Sequence, residues 1–562
     1  MWQRVVETYA ELVEQYMVIR ESMSTLRLSR SELALLTIRK SWHDVKLGWQ
    51  DWRDHPSRSI QLAVLTMAVF GAVVILDKII LQFTSLRRYG LPVLKRPKGV
   101  HRWDYAALLQ EGARRYPDTP YILTYSGYEY IVYPSSSFDE IKRLPASQAS
   151  MIEWFTHVFF QGWRFLGHES SSLYKTVGVD LTRAVPSYVQ ERQQHARRAF
   201  ELVTGPCSDW KPFALFQTAM DLIAITNATG LVGPELGIDQ RWRKAVQRFV
   251  MAMMGAIFAS HAVPGIIRRA ISPIVFTPAW CLYYYMSRLL LPIIRDELGT
   301  HKPDQDDTKS GMAPLEAKAD GTRNFPMIKW LMARYKVEEA TPRQVAHDLI
   351  VASFESTPSM AGTLYMILSE LVIRPALIEE IRDELSRNMV DGRLPQTNLG
   401  ELKKLDSVMR ESSRVNPFGY LTLFRRLKQP VQLSVGPRLP VGSLICVDAY
   451  HIGISEALWT DPKTFDPMRF LKLRQQPGHE AMHQFTSLGA DSPGWGDGLQ
   501  ACPGRAFAGN TLKIVLAHLL MNYDIKLPSR AEKPKRFSMP NGSLAPDMNA
   551  QLLLRKRRIK VD

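Results

Sequence analysis

The residues best suited to chemistry lie in Trp495-Gly-Asp-Gly-Leu-Gln-Ala-Cys502-Pro-Gly-Arg505, which runs straight into a helical stretch, 506–523. Gly496 and Gly498 permit a tight loop whose backbone can approach a flat ligand closely. Cys502 then stands just before a helix N-terminus, with Pro503 suited to the first turn. The positive helix end and nearby amide N–H groups stabilise a thiolate, and a thiolate is a soft metal ligand. A lone cysteine in such a turn can equally be a buried structural residue. Upstream, Glu411 and Arg414 at i, i+3 share one helix face, and Phe465-Asp-Pro-Met-Arg469-Phe470 follows. If buried, Glu411 and Arg414 must pair, and Arg469 can complete a network bracing the Cys502 loop; in isolation they fit a solvated surface pair as well. His479-Glu480-Ala-Met-His483 matches the pattern of a zinc hydrolase. That chemistry needs both histidines on one face of a stable helix, and Pro477-Gly478 before the motif and the loop after it make a chance match the expectation.

The three ordered segments carry a family resemblance. The loop from Trp495 to Arg505 resembles the haem-binding loop of the cytochrome P-450 family, with Trp495 where the family usually has Phe. Lys404–Arg414 holds the Glu411-x-x-Arg414 pair, and Phe465–Phe470 matches the segment that follows it in the family. The resemblance spans about residues 100 to 560 and looks closest to membrane-bound fungal members that tailor secondary metabolites. It implies a mainly α fold with small β-sheets, the cytochrome P-450 fold, preceded here by one N-terminal transmembrane helix. It further implies haem b with Cys502 as the axial thiolate ligand of the iron. Trp495, Gly496, Gly498, Gln500, Arg425, Glu411, Arg414 and Arg469 are then the cofactor-binding and bracing residues. The implied reaction is oxidation by O2 of a hydrophobic small molecule such as a terpenoid or polyketide-derived intermediate. The implied electron source is NADPH, acting indirectly through an NADPH-cytochrome P-450 reductase.

Two positions depart from the family pattern. The long helix above the haem usually carries an acid followed by Thr; the corresponding residues are Pro358 and Ser359. Proline removes an N–H and kinks a helix, which could open a groove for dioxygen. Ser359 still offers a hydroxyl, and Glu355, one turn earlier, is the candidate replacement acid. Gln500 stands where Arg or His usually pairs with a haem propionate, so another cation must compensate. Arg425, in the strand-like segment after the Glu411 helix, is the candidate; a solvent-facing arginine is the alternative.

Several elements must position these residues. Residues 60–76 hold no charge and one strongly polar residue, Gln61; Asp77 and Lys78 interrupt, and 79–81 continue the apolar run. A bilayer core needs about 20 apolar residues. The basic, acid-free flank 84–100 places the following body on the cytosolic side. The expected layout is an N-terminal extension of unknown role (1–59), a single transmembrane anchor (60–82), a basic Pro-containing hinge (83–100) and a haem-thiolate catalytic domain (101–562). The expected location is single-pass in the endoplasmic reticulum membrane. Tyr121–Tyr125 and Tyr128–Tyr133 around Ser126-Gly127 predict a hairpin. Residues 150–300 are helical in pattern, very apolar over 249–291, where core helix competes with a pocket wall or a bilayer contact. Residues 301–324 form a polar loop, helices follow over 326–386 with the longest over about 342–372, and short strands return between 431 and 447.

At 562 residues, 46% apolar and 22% charged, the chain is globular, not disordered or fibrous. Four cysteines cannot form a disulfide framework in a chain this long. The net charge of +16 favours an anionic partner. The basic residues are dispersed and no nucleic-acid module occurs, so the expected partners are the lipid bilayer and, through the basic 555–558 tail, an acidic redox protein, with no nucleic acid. Two other function classes remain alongside the haem-thiolate monooxygenase: the zinc hydrolase through His479, Glu480 and His483, and a non-catalytic haem- or lipid-binding membrane protein.

Overall fold

The computed structural model describes residues 56–84, 89–101, 103–163, 170–299, 327–336, 340–539 and 544–558. The N-terminal extension up to residue 55 and the 301–324 loop lie outside the described residues. The chain divides into two compact units, Met1–Ile80 and Leu81–Asp562.

Helix α1 (Pro56–Thr84, 29 residues), which lies in the first unit up to Ile80, covers the expected anchor. Val64, Leu65, Met67, Val69, Phe70, Ile75 and Leu76 on it are exposed. Among the described residues no single helix is long and apolar enough to cross a membrane; the apolar stretch is Val64–Asp77.

Among the described residues, the second unit combines helices with three small sheets. Strands β1 (Tyr121–Tyr125) and β2 (Tyr128–Tyr133) form the predicted hairpin, paired from Tyr121↔Val132 to Tyr125↔Tyr128. Ser126 and Gly127 have φ of 53° and 75°, the two left-handed residues of a tight hairpin turn. With β3 (Ala149–Ser150), β5 (Leu421–Leu427) and β6 (Leu444–Asp448) they make a five-stranded sheet of order β1-β2-β6-β5-β3. Residues 89–100, expected as a hinge, belong instead to this body. Leu91 and Leu94 are buried, and Leu94 N and Ile122 N donate to Ile122 O and Pro92 O. Apolar residues three apart were masked there by a linker-like content of Pro and Lys/Arg.

Beyond helix α2 (Tyr105–Arg115), the helical layer holds α3 (Met151–Phe160), α4 (Val189–Thr204), α5 (Leu215–Leu231), α6 (Gln240–Ala262), α7 (Gly265–Val275) and α8 (Thr277–Gly299). At its centre is α9 (Pro342–Leu371), capped by the Thr341 side chain and started by Pro342 at its first turn. Most of α9 is buried, and it packs along α5, itself buried on nearly all sides. The 249–291 region divides: Phe249, Met253 and Ile257 join the core, whereas Met251, Ile274, Trp280 and Tyr284 are exposed.

Helices α10 (Pro375–Asn388), α11 (Lys403–Val415), α12 (Arg469–Arg474) and α13 (Arg505–Asn522) carry the chemistry-bearing half. A sheet of order β4-β10-β7 joins β4 (Lys211–Ala214), β7 (Tyr523–Lys526) and β10 (Gln551–Lys556). A third, two-stranded sheet pairs β8 (Arg536–Ser538) with β9 (Leu544–Pro546). The expected basic docking tail is partly engaged within the fold: Arg555 pairs with Asp524 at 3.0 Å and lies over Trp210, and Arg557 is 3.6 Å from Asp524.

Candidate functional site

The site begins with the loop before α13. Gly496 (φ 66°) and Gly498 (φ 67°) both adopt the left-handed region. A side chain at 498 would run into the Lys142 carbonyl, so this position requires glycine for a close backbone approach as well as for φ. Cys502 N donates to Trp495 O at 2.8 Å, closing the loop, and the Cys502 carbonyl accepts from Arg505 Nη1 at 3.1 Å. The four cysteines form no disulfide, and Cys502 is partly exposed whereas Cys207 and Cys446 are buried. Cys502 therefore sits where the α13 N-terminus can stabilise a thiolate.

Trp495 anchors the loop: its Nε1 donates to Phe485 O at 2.7 Å and its ring meets Phe485 edge-on at 5.3 Å. Tyr174 OH donates to Leu499 O and Ala501 O at 3.0 and 2.9 Å, and Thr422 Oγ1 on β5 donates to Pro493 O at 2.7 Å. Gln500 is also a fastener. Its Oε1 accepts from Met151 N at 2.7 Å and its Nε2 donates to Ala149 O and Leu144 O, so the side chain expected near a propionate ties the loop to β3 and α3.

Glu411, Arg414 and Arg469 come together as expected. Arg414 Nε and Nη2 grip Glu411 bidentately at 2.8 and 2.7 Å, and Arg469 Nε donates to Glu411 Oε1 at 3.2 Å, all in a buried setting. Their remaining bonds reach a neighbouring segment. Arg414 Nη1 donates to the carbonyls of Gly453 and Pro462, Arg469 Nη1 to Thr460 O, and Asp466 N donates to Glu411. The triad thus holds segment 453–466 to α11. The loop's own brace starts one helical turn earlier. Asp406 Oδ2 accepts from Phe485 N at 2.8 Å and pairs with Lys513 of α13 at 2.6 Å; Arg410 Nη2 pairs with Asp491 at 2.8 Å. Sequence reasoning missed Asp406, Arg410 and Tyr174, since nothing in a sequence says which carbonyl a distant side chain will meet.

Arg425 stands out electrostatically. It is 1% exposed, its Nη1 donates to Phe424 O, and its Nε and Nη2 are buried without a hydrogen-bond partner. Burial pushes its pKa down to about 10, with Tyr174 acting the other way. A buried, under-satisfied guanidinium is costly unless an anion completes it. Tyr174 bonds the Cys502 loop and lies within electrostatic reach of Arg425, which puts an anion-seeking cation beside the thiolate loop. A haem, a flat iron macrocycle bearing two carboxylates, fits this set: a glycine cradle, a cysteine at a helix N-terminus and an orphaned arginine.

Beyond residue 347 of α9, the accessible positions form one stripe: Glu355, Ser356, Pro358, Ser359, Gly362 and Thr363. Ser359 and Glu355 share it, as the i, i+4 spacing requires. Ser359 Oγ donates to Glu355 O at 2.9 Å, and Thr363 Oγ1 to Ser359 O at 2.9 Å. The helix continues through Pro358. Asn227 ties this stretch to α13: its Nδ2 donates to Ser356 O at 3.4 Å, and its Oδ1 accepts from Thr511 Oγ1 at 3.4 Å.

The zinc pattern falls in turns between residues 475 and 483, not on a helix, and His483 has φ 57°. The two imidazoles, His483 Nε2 and His479 Nδ1, are in hydrogen-bond contact at 3.2 Å. Among the described residues no group of three or more His, Cys, Asp or Glu side chains could hold a metal ion.

The cytochrome P450 family model matches residues 270–554. The chain is 44% identical over 512 residues to cytochrome P450 monooxygenase ffsD of Aspergillus flavipes, covering 90% of this chain and 94% of that one. The chain belongs to the cytochrome P450 family. It is a P450 monooxygenase, and the family implies a haem-thiolate cofactor. The P450 is also 39% identical over 504 residues to the pyrichalasin C-18 hydroxylase of Pyricularia grisea, covering 89% of this chain and 91% of that one. Among solved structures, a retinoic-acid-bound cyanobacterial P450, CYP120A1, aligns with a TM-score of 0.59 at 15% identity, over 83% of this chain and all of that chain. That likeness is one of fold alone.

Proposed function

We propose that this P450 binds haem b through Cys502, with Arg425 on a propionate, and hydroxylates a hydrophobic fungal secondary-metabolite intermediate of terpenoid or polyketide origin. The observation that carries the cofactor assignment is the orphaned Arg425 guanidinium beside the Cys502 loop. The name of the pyrichalasin C-18 hydroxylase supports a carbon hydroxylation as the reaction. Thiolate-ligated haem iron, when bound, supplies dioxygen activation. The residues of this chain do the rest. Trp495, Gln500 and Tyr174 hold the loop in place, and the positive end of α13 favours the thiolate form at Cys502. Electrons come from an NADPH-dependent reductase. The exposed apolar residues of α1 and of the α7–α8 region support contact with a lipid bilayer, with the body on the cytosolic side of the endoplasmic reticulum.

Arg425→Gln should keep the fold and loosen the haem. A hydrogen bond to a charged group contributes about 1.5–3 kcal/mol, so haem transfer to an acceptor apoprotein should quicken by roughly ten- to a hundredfold. An unchanged transfer rate would remove Arg425 from the haem site.

Ser359 Oγ is the proton donor of α9 in this reading, re-protonated from Glu355 on the same stripe. Positioned proton donors contribute about 10²–10⁴-fold in rate. Ser359→Ala should therefore lower product formed per NADPH and divert electrons to peroxide, with little change in binding of an apolar substrate. Product, peroxide and NADPH measured together decide it; unchanged coupling would move the proton route away from Ser359.

A further inference from the structure

A cavity of about 600 Å³ opens between α3, α7 and the β1–β2 hairpin. Its walls are unusually basic. Arg268 and Arg269 come from α7 and Arg426 from β5, with His157, Tyr128 and Gln161 between them. Among the described residues, the one carboxylate in the wall is Glu153, 3.8 Å from Arg426. Strand alternation separates the two neighbouring arginines of β5: residue 425 turns to the Cys502 loop side and residue 426 to this cavity.

The arginines are held in place. Arg268 is buried, donates to Val263 O and His261 O at 3.1 and 3.3 Å, and lies over the Tyr128 ring at 4.9 Å. Arg269 lies over Trp163 at 5.7 Å, and Trp163 Nε1 donates back to Arg269 O at 2.8 Å. Arg426 keeps a buried Nε without a hydrogen-bond partner. His157 is depressed to about 4, by burial first and then by Arg426, Arg268 and Arg269, so it stays neutral near pH 7 and all three arginines bear on the same space. Three guanidinium groups against one carboxylate leave a positive excess, and planar guanidinium groups match oxyanions. Ile152 in the wall and Trp163 and Ile266 beside it are about two-fifths exposed, giving the cavity an apolar border.

We propose that this cavity binds the anionic head of an amphiphile: a phosphate or carboxylate held by Arg268, Arg269 and Arg426, with its apolar body against Ile152, Trp163 and Ile266. The site needs neither haem nor turnover, so it stands apart from the function proposed above. The test is calorimetric titration of the full-length holoprotein with dodecyl phosphate, dodecanoate, inorganic phosphate and the neutral dodecyl maltoside. The expected result is that dodecyl phosphate or dodecanoate binds at least about tenfold more weakly to the Arg269→Gln/Arg426→Gln protein than to wild type, while dodecyl maltoside shows no difference. Arg268→Gln should weaken it similarly. The double variant keeps the test valid if the buried Arg268 is needed for folding. Competition by inorganic phosphate at matching concentration would assign the site to a free phosphate; competition by the amphiphiles alone would assign it to a lipid or fatty acid. Equal affinity of wild type and double variant for both anionic amphiphiles would overturn the proposal, as would equal binding of the neutral detergent.

Discussion

Arg414→Ala should fail to accumulate as folded holoprotein. In the native protein Arg414 grips a fully buried Glu411 with two hydrogen bonds and also serves the carbonyls of Gly453, Pro462 and Thr464. Truncation leaves Glu411 with only Arg469 at 3.2 Å and the Asp466 amide, and strips three carbonyls of a donor. Breaking a buried pair in this way costs about 3–5 kcal/mol, against a total stability of about 5–15 kcal/mol for a domain. Arg414→Lys should recover little, because an ammonium cannot make the bidentate contact and reach the carbonyls together. Soluble yield, haem content and thermal melting check this. Melting like the wild type would mean that the brace is dispensable.

Cys502→Ala should reduce product formation below detection in a protein that still folds. The loop is pinned by bonds from the Cys502 amide and carbonyl, Trp495, Gln500 and Tyr174, all of which the variant retains. Cys207→Ala, Cys281→Ala and Cys446→Ala should retain turnover. Cys207 and Cys446, the latter on β6, are buried against β10 and β2, with Sγ contacts to Leu554 O and Ile131 O, and burial pushes both thiols up, away from thiolate character. Product assays with circular dichroism as the folding control separate the four. Turnover in Cys502→Ala would refute its role.

What the amino-acid order made legible was mostly local. The Tyr121–Tyr133 hairpin depends on two adjacent residues that accept left-handed geometry, and the Glu411–Arg414 pair on one helical turn. The central helix was legible over about 342–372. Non-local features were not. Nothing in Lys211–Ala214 announces that it will pair with Gln551–Leu554, more than 300 residues on. Gln500 offers donors that suit a carboxylate or a carbonyl, and only the fold shows Ala149 and Leu144 in reach. The linker-like 89–100 segment hid Leu91 and Leu94, whose burial depends on a sheet formed from distant parts of the chain. Arg425 was legible as a candidate by its position after α11, but its lack of partners emerges only when strand β5 is placed beside the Cys502 loop.

The haem-thiolate assignment rests on Cys502 carrying iron, and the difference spectrum of the reduced protein under carbon monoxide tests it most directly. The account predicts a Soret band at the wavelength from which the P450 family takes its name. A band shifted to the position given by histidine-ligated haem, or no haem absorbance in a folded protein, would contradict it.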